Sequence, residues 1–145
     1  MIPKILRNTL ALTIGAAVGI ILNGWLINIS SSIIPLPEGV DPNNLDSIQT
    51  HIHMYSWKHF VIPFWAHALG TFVSAFVAAK IWIGDPMIPG YIFGLFFLIG
   101  GITMVYFIKS PILPSMVDLL FAYLPMGWLG ARLAGANPLK STIQP

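Results

Sequence analysis

Four stretches of about 20 apolar residues constrain this chain more than any other feature, because a helix needs that length to cross the hydrocarbon core of a bilayer. The stretches cover residues 9–29, 60–79, 88–108 and 116–134, and charged residues or prolines separate them. We therefore predict an all-α fold, a polytopic membrane protein in which four transmembrane helices form a bundle. Residues 1–145 would make up a single membrane domain.

The composition agrees with a membrane protein and excludes several other classes. Only 8% of the 145 residues are charged and 56% are hydrophobic, whereas soluble domains carry about 25% charged residues. This composition excludes a water-soluble enzyme, a disordered chain and a nucleic-acid-binding protein, and it makes the lipid bilayer the expected partner. Cysteine is absent, which excludes disulfides, thiolate nucleophiles and Cys-ligated metals.

The positions of Lys and Arg predict the orientation, because cytoplasmic segments of membrane proteins carry an excess of them. If the N-terminus is inside, the outer segments hold only Lys58 and Lys109. The inner segments then hold Lys4, Arg7, Lys80, Arg132 and Lys140. We expect a multi-pass protein of the inner (plasma) membrane with both termini in the cytoplasm. A signal peptide is the alternative for the N-terminus, but the first apolar stretch is too long for one.

Residues 30–59 form the only long connection, and we expect it outside. Asp41 followed by Pro42 predicts a helix start with Asp41 as the N-cap. The residues on one face then recur at spacings of three and four: Leu45, Ile48, Ile52, Tyr55 and His59. This spacing predicts an amphipathic helical segment before the second span. A plain extension of that span above the bilayer is the alternative.

Small residues recur at four-residue spacing in three of the spans, which indicates helices that approach one another closely. These helix-packing candidates are Gly15 and Gly19, Ala66, Gly70 and Ser74, and Gly127 and Ala131. Packing within the chain is the simplest explanation. The same stripes could also dock other membrane subunits or a second copy of the chain.

Three polar residues inside the spans are the candidates for a functional site, because ionisable groups are costly at membrane depth and often functional. His67 can stay neutral at little cost, so the simplest explanation of its presence in a span is a neutral core histidine with a hydrogen-bond partner. Protonating an aspartate at pH 7 costs about 4 kcal/mol, and leaving it charged at the bilayer centre costs about 3 kcal/mol, so Asp118 needs a partner. A helix cap is its simplest explanation, because Ser115 precedes it as in a capping box. Asn23 is the third residue.

The second and fourth spans both begin on the outer side, so His67 and Asp118 are expected at similar depth in the outer half. If the first, second and fourth spans are neighbours, Asn23, His67 and Asp118 line one polar site, and Tyr123 is a further candidate member. A carboxylate beside an imidazole can relay protons or hold a cation. The distance between the His67 and Asp118 side chains tests this hypothesis.

Motifs for metal binding or catalysis are not found in the sequence. On a helix, His51 and His53 point about 200° apart and cannot chelate one ion. The HExxH, GxSxG and phosphate-loop patterns do not occur. We therefore expect no metal, no cofactor and no catalytic residue, and an enzyme is the least favoured class.

Residues 59–71 (HFVIPFWAHALGT) and 118–126 (DLLFAYLPM) resemble segments of a group of small four-span integral membrane proteins of bacteria without an established function. The four spans and the long first loop also fit that group. The resemblance implies the architecture and a bacterial inner membrane, and it carries over no catalytic residue.

Two functions follow from these observations. The first is an accessory or assembly subunit that packs against other membrane proteins, as the small-residue stripes, the short loops and the lack of catalytic motifs suggest. The alternative is a carrier or binding protein for a small solute, a proton or a cation, which would use the polar site in the outer half.

Overall fold

The computed structural model describes residues 3–135, so Lys140, one of the residues behind the predicted orientation, lies outside them. Within the described residues the chain is helical and has no strand, which confirms the predicted all-α fold. The helices are α1 (Lys4–Ile33), α2 (Leu45–His51), α3 (Val61–Ile81), α4 (Met87–Ile108), α5 (Ile112–Phe121) and α6 (Leu124–Leu133). Two 3₁₀ turns, Ile52–Met54 and Trp57–Phe60, join α2 to α3.

Four segments of the described chain are long and apolar enough to cross a membrane, and the protein is membrane-embedded. They are Lys4–Ile33, Trp57–Ile81, Met87–Ile108 and Ile112–Leu133. We call the end of the bundle that carries residues 34–60 the loop end, and the opposite end the terminal end.

The first span is longer than predicted, because α1 extends beyond residues 9–29 in both directions. Two polar side chains in its first turns tie it to the connection between α3 and α4. Arg7 donates from Nε to the Ile81 carbonyl at 2.7 Å. The Asn8 side chain accepts from the Ile83 N–H at 2.8 Å and donates to the Ile83 carbonyl at 3.1 Å. These bonds fix the terminal end of α1 against its neighbour.

The helix predicted in the long loop starts later and is shorter than expected, and its predicted N-cap is wrong. Asn44 is the N-cap, because its side chain accepts from the N–H groups of Asp46 and Ser47 at 2.9 and 3.2 Å. Asp41 instead accepts from the Asn43 N–H at 2.9 Å. Such an Asx turn competes with helix formation, so the helix begins only after Asn44.

One histidine ties the end of the long loop to its beginning, and another bonds within α2. His59 accepts from the Ser56 N–H at Nδ1, 2.9 Å away, and donates from Nε2 to the Pro35 carbonyl at 3.1 Å. His51 donates from Nδ1 to the Ser47 carbonyl at 2.7 Å. Tyr55 packs edge-on against His59, and burial raises the pKa of its phenol.

Helix α3 is the centre of the bundle and packs against α1, α4 and α6. Its buried residues are all small, and Ala66 is fully buried among them. A Cβ on Gly15 would lie 2.7 Å from the Ser74 carbonyl oxygen, and one on Gly19 would overlap Ser74 Oγ. Only small residues let α1 and α3 approach this closely.

The interface between α4 and α6 is built in the same way. A Cβ on Gly90 would lie 2.7 Å from the Cβ of Ala131, and a Cβ on Gly127 would overlap the Gly90 carbonyl oxygen. Gly70 faces α1 as well, since a Cβ on it would lie 3.0 Å from the Gly19 carbonyl oxygen. The small residues singled out in the sequence therefore pack within the chain.

The fourth span, expected as one helix over residues 116–134, is divided into α5 and α6. The chain bends at Ala122 and Tyr123, and Tyr123 has φ −115° and ψ −81°, outside the helical region. Pro125 explains the bend, because it has no N–H for the Phe121 carbonyl and its ring would collide with that carbonyl in a continuous helix. The bend places Tyr123 in the interior, where it is 2% exposed.

Candidate functional site

His67 and Asp118 are in direct contact within the bundle. The Nδ1 atom of His67 lies 2.9 Å from Oδ1 and 3.1 Å from Oδ2 of Asp118. Each residue is six positions from the start of its helix at the loop end, which corresponds to a depth of about 9 Å. The contact thus joins α3 to α5 well inside the apolar part of the chain.

Tyr123 completes what we call the polar cluster, which consists of His67, Asp118 and Tyr123. Its hydroxyl donates to Asp118 Oδ2 at 2.7 Å and lies 3.0 Å from His67 Nδ1. Its ring stacks on the imidazole at 5.7 Å between centroids. On α4, Gly101 makes the room for this ring, because a Cβ there would lie 2.5 Å from the Tyr123 hydroxyl oxygen.

The hydrogen bonds determine where the imidazole carries its proton. The Asp118 carboxylate only accepts, so Nδ1 of His67 donates to it. The hydroxyl hydrogen of Tyr123 is used on Asp118 Oδ2, and in the neutral imidazole Nε2 of His67 then has a free lone pair.

The Nε2 atom is the open position of the cluster. Among residues 3–135, Nε2 has no hydrogen-bond partner. The only side-chain polar atom in these residues that is both fully buried and unpaired is Ser74 Oγ, so Nε2 is not fully buried. The His67 side chain is 29% exposed, whereas that of Asp118 is 15% exposed. Nε2 is therefore the ring nitrogen of His67 that the described residues leave free to bind a ligand.

His67 and Asp118 are also the only Asp, Glu, His, Lys or Arg residues in the interior of the four spans. The others in α1, α3 and α6 lie in the first or last turn of their helix at the terminal end, and α4 has none. They are Lys4, Arg7, Lys80 and Arg132. Basic residues at helix ends extend toward the interface, so His67 and Asp118 alone have to be satisfied at depth.

The helix-cap explanation of Asp118 is wrong. Helix α5 begins at Ile112, so Asp118 is its seventh residue rather than its third. The Ser115 hydroxyl donates to the Pro111 carbonyl at 2.7 Å and caps nothing. Pro114 does not delay the helix start, because a proline is tolerated in the first turn, where its missing N–H is not needed.

Asn23 does not join the polar cluster. A Cβ on Gly70 would lie 3.0 Å from the Asn23 Cβ, which places Asn23 about one turn of α3 deeper than His67. Within the described residues it has no hydrogen bond to the cluster. The reason is that α1 packs on the side of α3 that carries Gly70 and Ser74, whereas His67 faces α5.

Comparisons of the chain with protein-family models, with curated proteins and with solved structures find no match. Among the described residues, no three His, Asp or Glu side chains lie close enough to hold a metal ion together. The polar cluster therefore has one reactive feature, an imidazole whose orientation is fixed by a carboxylate and whose Nε2 has no hydrogen-bond partner among the described residues.

Proposed function

We propose that this chain is a membrane carrier or binding protein that takes up a proton or a small cationic hydrogen-bond donor at Nε2 of His67. One observation carries the proposal. The only two residues of the Asp, Glu, His, Lys and Arg types in the interior of the spans are 51 positions apart in sequence, and they are bonded to each other. Ionisable residues at membrane depth are costly and mark ion or proton pathways.

The charge of the cluster favours a positive ligand. With an ionised Asp118 and a neutral His67, the cluster carries one negative charge. Uptake of a proton or a monovalent cation brings the net charge of the cluster to zero, which is favourable in a surrounding of low dielectric constant. Binding of an anion would instead raise the negative charge of the cluster from one to two. Asp118 stabilises the imidazolium formed when the proton binds at Nε2. Tyr123 holds the carboxylate in place for this step.

The same proposal includes an orientation. Within residues 3–135, four basic residues lie at the terminal end of the bundle, and two, Lys58 and Lys109, lie at the loop end. The positive-inside rule then supports a cytoplasmic terminal end and an outer loop end in a bacterial inner membrane. The polar cluster would lie in the outer half of that membrane.

Proton uptake into proteoliposomes tests the proposal. Purified protein is reconstituted around a pH-sensitive dye, and the internal acidification after an external acid step is followed. We expect His67→Gln and Asp118→Asn to lower the protein-dependent rate at least tenfold, since each removes one half of the bonded pair.

Matched changes in the loop serve as controls. His53→Gln and Asp46→Asn alter the same residue types at exposed positions outside the cluster and should leave the rate unchanged. If the two cluster variants are folded and acidify the vesicles as fast as the wild type, the proposal is wrong.

An accessory or assembly function is the second candidate. The packing residues that suggested it contact helices of the same chain, but Gly24 and Gly100 differ, because nothing lies within 4 Å of a Cβ placed on either. Such open positions let a helix of another membrane subunit approach closely. A second membrane protein retained by the wild type in mild detergent, and lost in Gly100→Leu, would support this function.

A further inference from the structure

We infer that α5 is a gate on the polar cluster, a half-helix that turns about the bend at Ala122 and Tyr123 and is held closed by the Asp118–His67 bond. The inference rests on the proposed function, because it describes how the occupancy of the same site controls the position of α5. Three features of the described residues carry it: the weak packing of α5, the fixed position of the bend, and the charge dependence of the bond.

Helix α5 has little that holds it to the bundle. Ser115 is its only buried residue, and the Ser115 hydroxyl is bonded to the Pro111 carbonyl next to the same helix. Ile112 and Leu113 are 78% and 77% exposed. Leu119 is partly buried against the apolar cluster around Ala122. Asp118 therefore makes the one polar side-chain bond from α5 to another span among the described residues.

The bend is suited to act as a pivot. Pro125 cannot supply the N–H that would join the end of α5 to the start of α6, so the two half-helices do not form one rigid rod. Tyr123 itself is fixed, because its ring is buried between His67 on α3 and Gly101 on α4. Helix α5 can turn about this point while α6 keeps its packing against α3 and α4.

The strength of the bond depends on whether the site is loaded. With Asp118 ionised, the bond from the neutral imidazole is already charge-assisted, and a proton on Nε2 of His67 adds the attraction between two opposite charges across the 2.9 Å contact. A proton on Nε2 of His67 therefore strengthens the hold on α5, and loss of the proton weakens it. Asp118 and Tyr123 are the titratable groups that face His67. Helix α4 has no charged residue, and those of α1 and α6 lie at the terminal end.

Distances between spin labels test the gate, and the absence of cysteine from the chain allows labels at chosen positions. Ile21→Cys on α1 and Leu113→Cys on α5 report the gate, and Ile21→Cys with Leu133→Cys on α6 is the control. All three positions are more than half exposed. In proteoliposomes, Asp118→Leu, which removes every acceptor at this position, should broaden or shift the Ile21–Leu113 distance by about 5 Å, one helical turn, and leave the Ile21–Leu133 distance unchanged. His67→Leu removes the donor of the same bond and should broaden the same distance by less, because the Tyr123 hydroxyl still donates to Asp118.

Each other outcome contradicts the gate in a distinct way. If neither distance changes while proton uptake is lost, the gate is wrong and the proposed function stands. If both distances broaden, the polar cluster holds the whole bundle rather than α5, and the gate is wrong. If α5 moves while uptake is kept, the proposed function fails, and the gate then has no site to control.

Discussion

Replacing His67 with leucine should destabilise the protein by about 3 kcal/mol, whereas replacing Asp118 with leucine should change its stability by less than about 1 kcal/mol. His67 and Asp118 are bonded to each other, but the two variants leave chemically different residues without a partner. Without His67, Asp118 has to stay charged in an apolar surrounding or take a proton, and Tyr123 alone remains to bond it. Without Asp118, a neutral imidazole remains, and the Tyr123 hydroxyl, 3.0 Å away, can donate to its Nδ1.

Reversible unfolding in mixed micelles of a mild detergent and dodecyl sulfate measures this asymmetry. The matched control is the double variant His67→Leu with Asp118→Leu, which should recover most of the stability lost by His67→Leu alone, because no unpaired carboxylate is left. Equal losses for the two single variants would mean that Asp118 is already satisfied without His67.

Gly19→Val should separate α1 from α3, with a loss of about 3 kcal/mol in the free energy of unfolding. A Cβ at this position would overlap Ser74 Oγ and lie 2.5 Å from the Gly70 carbonyl oxygen. Backbone cannot yield as a flexible side chain can, so the helices have to move apart. The change in stability is measured by the same unfolding experiment.

Gly24→Val is the matched control, since it makes the same change five residues further along α1. Nothing lies within 4 Å of a Cβ on Gly24, and its effect should stay within about 0.5 kcal/mol. A Gly19→Val variant as stable as Gly24→Val would show that α1 does not pack on α3 as described.

The spans could be predicted from the sequence because the bilayer imposes one length on every crossing helix. The positions at which helices start and bend are harder to predict. The apolar stretch continues across the bend at Tyr123, so the sequence predicts one helix there, although Pro125 is a signal for a break. Asp41 and Asn44 are both suitable N-caps, so the sequence predicts that the loop helix starts at Asp41, but Asp41 forms an Asx turn instead.

The polar cluster was only partly predictable. Counting residues from the loop end places His67 and Asp118 at the same depth, but it does not show which helices are neighbours. The side of α3 that packs against α1 is set by Gly70 and Ser74, and this geometry removes Asn23 from the site. The contact between Gly101 and the Tyr123 ring cannot be predicted from the spacing of residues in the sequence.

The protonation of His67 in a lipid bilayer tests the central claim, that a carboxylate fixes this imidazole so that Nε2 takes up the proton. Nitrogen NMR of protein labelled in its four histidines distinguishes the two ring nitrogens, and the His67→Gln spectrum identifies the signals. We predict that Nδ1 of His67 stays protonated while Nε2 gains a proton as the pH is lowered, and that Asp118→Asn removes this preference. A His67 that carries its proton on Nε2 and none on Nδ1 when neutral would contradict the account.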